Sequence, residues 1–150
     1  MSATARTSPA RTAPVSSPRS PIFASLAGVI AVVVLFQAAW AGMFIREGKE
    51  YDATWVTVHA RGADLAIVLA LVAVVIAFVK LRTRKDLLIG SIALLVVLVL
   101  ESYIGGLVGE NAAVTALHFP LGMALMGLCV WLPLRSRHSA SQPRVARPAE

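Results

Sequence analysis

Apolar residues fill four long stretches of this chain, and short polar stretches separate them. The four runs cover residues 22–45, 62–79, 87–108 and 114–134. Each approaches or exceeds the roughly 20 apolar residues that a helix needs to cross a bilayer. None alternates apolar and polar positions as a half-buried strand does. The pattern therefore predicts an all-α fold over residues 22–135: a transmembrane four-helix bundle with antiparallel, up-down topology, because the connections are short.

Composition supports a membrane domain flanked by two disordered tails. The chain is 57% hydrophobic and only 15% charged, whereas about 25% of the residues of a soluble domain are charged. Residues 1–21 and 136–150 are rich in Ser, Ala, Pro and Arg. Such segments bury too little apolar surface to offset the entropy of ordering, so both are predicted to be disordered.

The distribution of charge predicts the orientation of the bundle. Basic residues collect in the two tails and in the second connection (residues 80–86), while the first connection is mixed and the third holds only the acid Glu110. Because Lys and Arg favour the cytoplasmic side, both termini are predicted to be cytoplasmic. The net charge of +6 then reflects topology and attraction to anionic headgroups. The basic residues are split among three segments without interleaved aromatics, which disfavours nucleic-acid binding. An Arg-rich, Ala- and Val-rich chain is compatible with the inner membrane of a bacterium.

Two histidines stand out within this lipid-like sequence. His59 and His118 lie near the starts of the second and fourth apolar runs, toward the same face of the membrane. Ionisable side chains are costly in hydrocarbon and mark functional positions. At about 1.5 Å per residue, His118 lies roughly 25 Å from Arg135 and His59 roughly 31 Å from Lys80. Helix tilt can absorb the difference, and a histidine pair on two helices of a bundle is a common way to hold haem iron.

Three neighbours have both a functional and a structural interpretation. Glu101 lies roughly 24 Å from Lys85. Three roles are open to it: a hydrogen-bond partner of an imidazole, a proton-handling group, or a carboxylate that only reaches the outer surface. Gly62 and Gly122 follow the histidines by about one turn on the same helix face. They either leave room for a flat macrocycle or allow close helix packing.

Cations near the outer boundary have two interpretations as well. Arg61 and Arg46 are candidates for pairing with haem propionates. Asp64, three positions after Arg61, is placed to neutralise that arginine on the helix surface instead.

Two stretches resemble a known family. Residues 98–131 (LVLESYIGGLVGENAAVTALHFPLGMALMGLCVW) resemble the third and fourth helices of a haem A synthase half-unit, and residues 55–71 (WVTVHARGADLAIVLAL) resemble its second helix. The resemblance implies that His59 and His118 are the axial ligands of a b-type haem. The family has two such units, however, and a catalytic Glu three residues before the first ligand, where this chain has Val56. The resemblance therefore implies haem binding without the family's enzymatic activity.

The leading interpretation is a membrane protein that binds haem b between helices two and four and acts in electron transfer or haem handling. Two axial histidines leave the iron no open position for oxygen. A membrane redox partner or a second copy of the chain is its expected partner. One alternative is a non-haem accessory subunit in which His59, His118 and Glu101 form an interhelical polar network. Another is a small proton-coupled transporter that uses Glu101.

Overall fold

Four long helices make up the bundle. A computed structural model describes residues 20–44, 53–110 and 112–138. The helices are α1 (Pro21–Phe44), α2 (Ala53–Lys80), α3 (Lys85–Gly105) and α4 (Ala112–Arg137). All four are long and apolar enough to cross a membrane, and the described residues contain no strand. The predicted all-α, four-span fold is confirmed, and its helices are those of an integral, multi-pass membrane protein.

The helix ends differ from the predicted runs where polar residues continue a helix. α1 begins at Pro21, and the missing N–H of a proline costs nothing there because the first amides of a helix have no partner within the helix. The Ser20 hydroxyl accepts a hydrogen bond from the Phe23 amide at 3.2 Å. α2 begins at Ala53 rather than at residue 62, because hydropathy falls in its first turns while the helical conformation continues. His59 therefore lies well inside a helix. Apart from these helix ends, the two predicted tails lie outside the described residues.

The four helices form a ring. α1 and α3 each pack against both α2 and α4, whereas the diagonal pairs α1/α3 and α2/α4 have no Cα atoms within 8 Å of each other among the described residues. The α2–α3 connection is only residues 81–84, so these helices run antiparallel. We call the end with the α1 start, this connection and the α4 end the basic end, and the opposite end the far end.

Small residues on α2 bring the helices close together. Its buried positions recur every three or four residues along one face: Gly62, Ala66, Ala70, Ala73 and Ala77. In lipid, van der Waals packing between helices depends on such small side chains. Large apolar side chains point outward instead, as Val68 (57% exposed) and Phe78 (61% exposed) illustrate. Apolar side chains on the outside as well as the inside are typical of a helix in hydrocarbon.

A buried arginine closes the basic end. Arg84, 2% exposed, donates from Nε and Nη2 to the two carboxylate oxygens of Asp86, each at 3.0 Å. It also donates to the backbone carbonyls of Arg135, in the last turn of α4, and of His138, just beyond it, at 3.0 Å. The Arg135 carbonyl accepts from the His138 amide as well, at 3.3 Å. Arg135 Nε donates to Asp86 at 2.7 Å. These bonds join the α2–α3 connection to the end of α4.

Candidate functional site

One polar side chain from each helix contributes to a single layer in the far half of the bundle. The four residues are Gln37 of α1, His59 of α2, Glu101 of α3 and His118 of α4, and we call them the polar layer. Gln37, Glu101 and His118 each lie roughly 24–28 Å from the basic end of their helix. His59 is linked to this level by a hydrogen bond to Gln37. Each helix thus supplies one hydrogen-bonding group where lipid-like side chains otherwise dominate.

The α1–α2 half of the layer fixes the tautomer of His59. Its Nδ1 lies 3.0 Å from the backbone oxygen of Gln37, and since a carbonyl only accepts, Nδ1 carries the proton. The ring nitrogen with an available lone pair is therefore Nε2. The Phe44 ring packs on the imidazole edge-on, with ring centroids 5.5 Å apart. His59 is thus held from α1 by a hydrogen bond and an aromatic contact.

The α3–α4 half pairs a carboxylate with an imidazole. His118 Nδ1 lies 3.1 Å from Oε1 of Glu101, and the two side chains are only 19% and 13% exposed. The atoms are close, but their alignment does not make a hydrogen bond, since His118 Nδ1 has no hydrogen-bond partner among the described residues. The contact is an ion pair when His118 is protonated and Glu101 is ionised.

The two halves of the layer lie on diagonal helices. His59 belongs to α2 and His118 to α4, and these two helices do not pack directly against each other among the described residues. Adjacent helices pack about 8–10 Å apart, which puts diagonal axes about 11–14 Å apart. The predicted pairing of these two histidines at one depth stays a prediction.

Buried polar atoms without partners are concentrated in the polar layer. Within the described residues these atoms are Nε2 and Oε1 of Gln37, Oε2 of Glu101 and Nδ1 of His118. Each such atom costs about 1–3 kcal/mol when left unpaired. Native structures keep buried unpaired groups where a water, an ion, a ligand or a chemical step uses them. The polar layer therefore contains the polar atoms that a bound water, ion or ligand would satisfy.

Neighbouring side chains already occupy the space beside Gly62 and Gly122. A Cβ atom at Gly62 would meet the Gln37 amide and the Trp40 ring, and one at Gly122 would lie 3.0 Å from Glu101 Oε1. Both glycines therefore allow close packing of polar-layer side chains. Their predicted contact with a macrocycle stays a prediction.

The predicted outer cations lie outside the layer. Arg61 pairs with Asp64 at 3.0 Å on the helix surface, with the two side chains 80% and 57% exposed. This is the surface pair that their spacing indicates. Arg46 lies outside the described residues. A propionate contact by either arginine stays a prediction.

The sequence analysis missed Gln37. The signal was present, because Gln37 is a strongly polar side chain in the middle of the first apolar run. The histidines drew attention because they ligate metals, whereas an amide does not indicate a ligand by its chemistry alone. Its importance depends on its position beside His59, which only the packing of α1 on α2 reveals.

The donor atoms of the layer are suited to haem. No group of three His, Cys, Asp or Glu residues within the described ranges is arranged to hold a metal ion directly, but haem iron needs only two axial protein ligands. Metal-ligating histidines usually direct the other ring nitrogen to a carbonyl or carboxylate. In both His59 and His118, Nδ1 lies next to such an oxygen.

Comparison with protein-family models, curated proteins and solved structures found no match to this chain. Its class is given by its fold and candidate site: it is a four-helix membrane bundle with a buried polar layer. The resemblance to haem A synthase stays a prediction.

Proposed function

We propose that this protein binds one b-type haem between α2 and α4, with His59 and His118 as the axial ligands. The observation that carries the proposal is the placement of these two imidazoles on diagonal helices, each with Nδ1 beside an oxygen of a neighbouring helix. A ligand between them would have a protein nitrogen available on each face.

The surrounding residues orient these ligands. The Gln37 carbonyl holds the proton of His59 on Nδ1, which leaves Nε2 for iron. Oε1 of Glu101 lies 3.1 Å from Nδ1 of His118, and a small rotation of the imidazole would align the two atoms into a hydrogen bond that favours the same tautomer there. A carboxylate in this position also raises the basicity of the ligating nitrogen. Arg61 is the predicted cation for a propionate, and it would have to leave its surface pair with Asp64 to make that contact.

Bound haem supplies one-electron redox chemistry. With both axial positions held by histidine, no position on the iron is open for oxygen. We therefore assign the protein to electron transfer or haem handling rather than to oxygenation. We also assign it to the inner membrane of a bacterium, with its basic end in the cytoplasm and a membrane redox partner or a second copy as its partner.

Proton-coupled transport is the second candidate. It is favoured by Oε2 of Glu101, which is buried without a hydrogen-bond partner in the described part of the chain. Intramembrane carboxylates of this kind relay protons in transporters. In this case the histidines and Gln37 complete a polar network, and no haem is bound.

A reduced-minus-oxidised visible spectrum separates these functions. The full chain is produced with an ample supply of haem, purified in detergent and compared with His59→Ala, His118→Ala and His138→Ala. His138 is the matched control because it is exposed at the basic end, where its Nδ1 lies 2.8 Å from the Leu134 carbonyl. We expect a sharp b-type band in the wild type and in His138→Ala, and its loss in the other two variants.

A colourless wild-type protein would overturn the haem proposal. Proton uptake by vesicles containing that colourless protein, abolished by Glu101→Gln, would then establish the second candidate.

A further inference from the structure

A groove opens on the outer surface between α3 and α4, near the basic end. It is shallow and wide open on one side, with a volume of about 530 Å³. Its lining residues come from the first turns of α3 and the last turns of α4: Asp86, Ile89, Gly90, Gly127, Leu128 and Trp131. Gly90 precedes Glu101 by eleven positions, or roughly 16 Å along the helix. The groove is therefore separate from the polar layer.

Two glycines shape this groove. At Gly90, a Cβ atom would lie 2.7 Å from Cζ3 of Trp131, so the missing side chain lets the indole lie across α3. At Gly127, a Cβ atom would have no neighbour within 4 Å. The indole therefore forms one wall, and Gly127 leaves open space next to it. The result is a concave, mostly apolar surface on the lipid-facing side of the bundle.

The mouth of the groove at the basic end is cationic. Asp86 is shared by Arg84 and Arg135, so these three side chains have a net positive charge. Arg135 is 41% exposed and uses Nε for Asp86, while its two Nη groups have no partner among the described residues. Lys85, which directly precedes Asp86, is also exposed at this end. An apolar groove with a positive mouth at the membrane boundary complements an acyl chain attached to an anionic headgroup.

We propose that this groove binds an anionic phospholipid, with an acyl chain along Gly127 and Trp131 and the phosphate at Arg135 and Lys85. A second copy of the chain is a poorer occupant. Two copies that meet side by side in one membrane would bring their basic ends together at the same level, and such like-charge contacts are unfavourable. A phospholipid avoids this repulsion, because its phosphate neutralises the positive charge at the mouth while its acyl chain fills the groove.

Gly127→Leu and Gly28→Leu test the groove as a matched pair. Gly28 lies seven positions and Gly127 ten positions from the basic end of its helix, and neither has an atom within 4 Å of its Cβ position. Both variants are therefore expected to fold. Gly127→Leu fills the groove, whereas Gly28→Leu adds the same side chain to α1, away from it. A third variant, Lys85→Gln, removes one charge from the mouth.

The measurement is lipid binding by the detergent-purified full chain, followed by native mass spectrometry and thermal unfolding. The probes are phosphatidylglycerol, phosphatidylcholine with the same acyl chains, and inorganic phosphate. We expect phosphatidylglycerol to bind and to raise the unfolding temperature more than the other two. Gly127→Leu should weaken this binding on the order of tenfold and Lys85→Gln about fivefold, while Gly28→Leu should bind as the wild type does.

Three results would overturn the proposal. The first is equal stabilisation by the two phospholipids, and the second is stabilisation by inorganic phosphate alone. The third is a lipid-free dimer that Gly127→Leu converts to a monomer, which would make the groove an interface between copies. The outcome of this test does not depend on whether the protein binds haem.

Discussion

Glu101 and His118 interlock across the α3–α4 interface, with 3.1 Å between Oε1 and Nδ1. Each residue has a glycine four positions further along its own helix, and that glycine faces the other residue. A Cβ atom at Gly105 would lie 3.1 Å from Cε1 of His118, and one at Gly122 would lie 3.0 Å from Oε1 of Glu101. The two helices thus present the same short pattern to each other, and the carboxylate and imidazole meet without a bulky side chain between them.

The first prediction concerns the charge of Glu101. Glu101→Gln keeps the shape of the side chain but removes the carboxylate that faces Nδ1. We expect haem affinity to fall by about 10–100-fold in a haemin titration, and the reduction potential to rise because a less basic ligand stabilises ferric iron less. Glu110→Gln, at an exposed acid in the α3–α4 connection, is the control. Unchanged affinity and potential in Glu101→Gln would show that the carboxylate has no influence on the ligand.

The second prediction concerns the buried amide of Gln37. Neither its Nε2 nor its Oε1 has a hydrogen-bond partner in the described part of the bundle. Gln37→Met removes both polar atoms and keeps the backbone carbonyl that contacts His59. We expect the haem-free protein to become more stable by about 1–2 kcal/mol in reversible unfolding experiments. A loss of stability of that size would mean that the amide has a partner, such as a bound water.

The third prediction tests the close approach of α1 and α2. A methyl group at Gly62 meets the Gln37 amide and the Trp40 ring, and relief of that clash requires the large ring to move. We expect Gly62→Ala to lower the free energy of unfolding by about 1–3 kcal/mol. Gly28→Ala has open space at its Cβ position and should raise it by up to about 1 kcal/mol. Equal effects at the two sites would contradict the packing described here.

The fourth prediction concerns the bonds at the basic end. Arg84→Ala removes one of the two arginines that pair with Asp86 and takes the donor away from the His138 carbonyl, while the Arg135 carbonyl keeps only the His138 amide. We expect a loss of about 2–3 kcal/mol in the free energy of unfolding. Arg82→Ala, in the same connection but exposed, should change it by less than about 0.5 kcal/mol. Similar values for the two variants would show that Arg84 serves only as a positive charge.

The fold was largely predictable because lipid imposes simple rules. A run of about 20 apolar residues has few structural options in a bilayer, so the number and order of the helices follow from hydropathy. The start of α2 at Ala53 was not predictable in this way. Its polar first turns lie beyond the apolar stretch, and a helix of 28 residues is about 42 Å long against a hydrocarbon thickness of about 30 Å.

The site was predictable only where residue chemistry is distinctive. His59, Glu101 and His118 are conspicuous in an apolar sequence, and the structure brings His118 and Glu101 into contact. The sequence analysis counted Arg84 only as one of several positive charges. Nothing in the neighbouring sequence predicts that its side chain is 2% exposed or that it donates to the backbone oxygen of Arg135, 51 positions later in the chain. Such a role depends on tertiary packing of α3 against α4.

The central claim is that His59 and His118 ligate one haem iron together. The most direct test is a titration of haemin into the detergent-purified, haem-free full chain, followed by electron paramagnetic resonance of the oxidised complex. We predict saturation at one haem per chain and a low-spin ferric signal, which two axial imidazoles produce, with conversion to high spin in His118→Ala. A titration that does not saturate, or a high-spin signal in the wild type, would contradict the account.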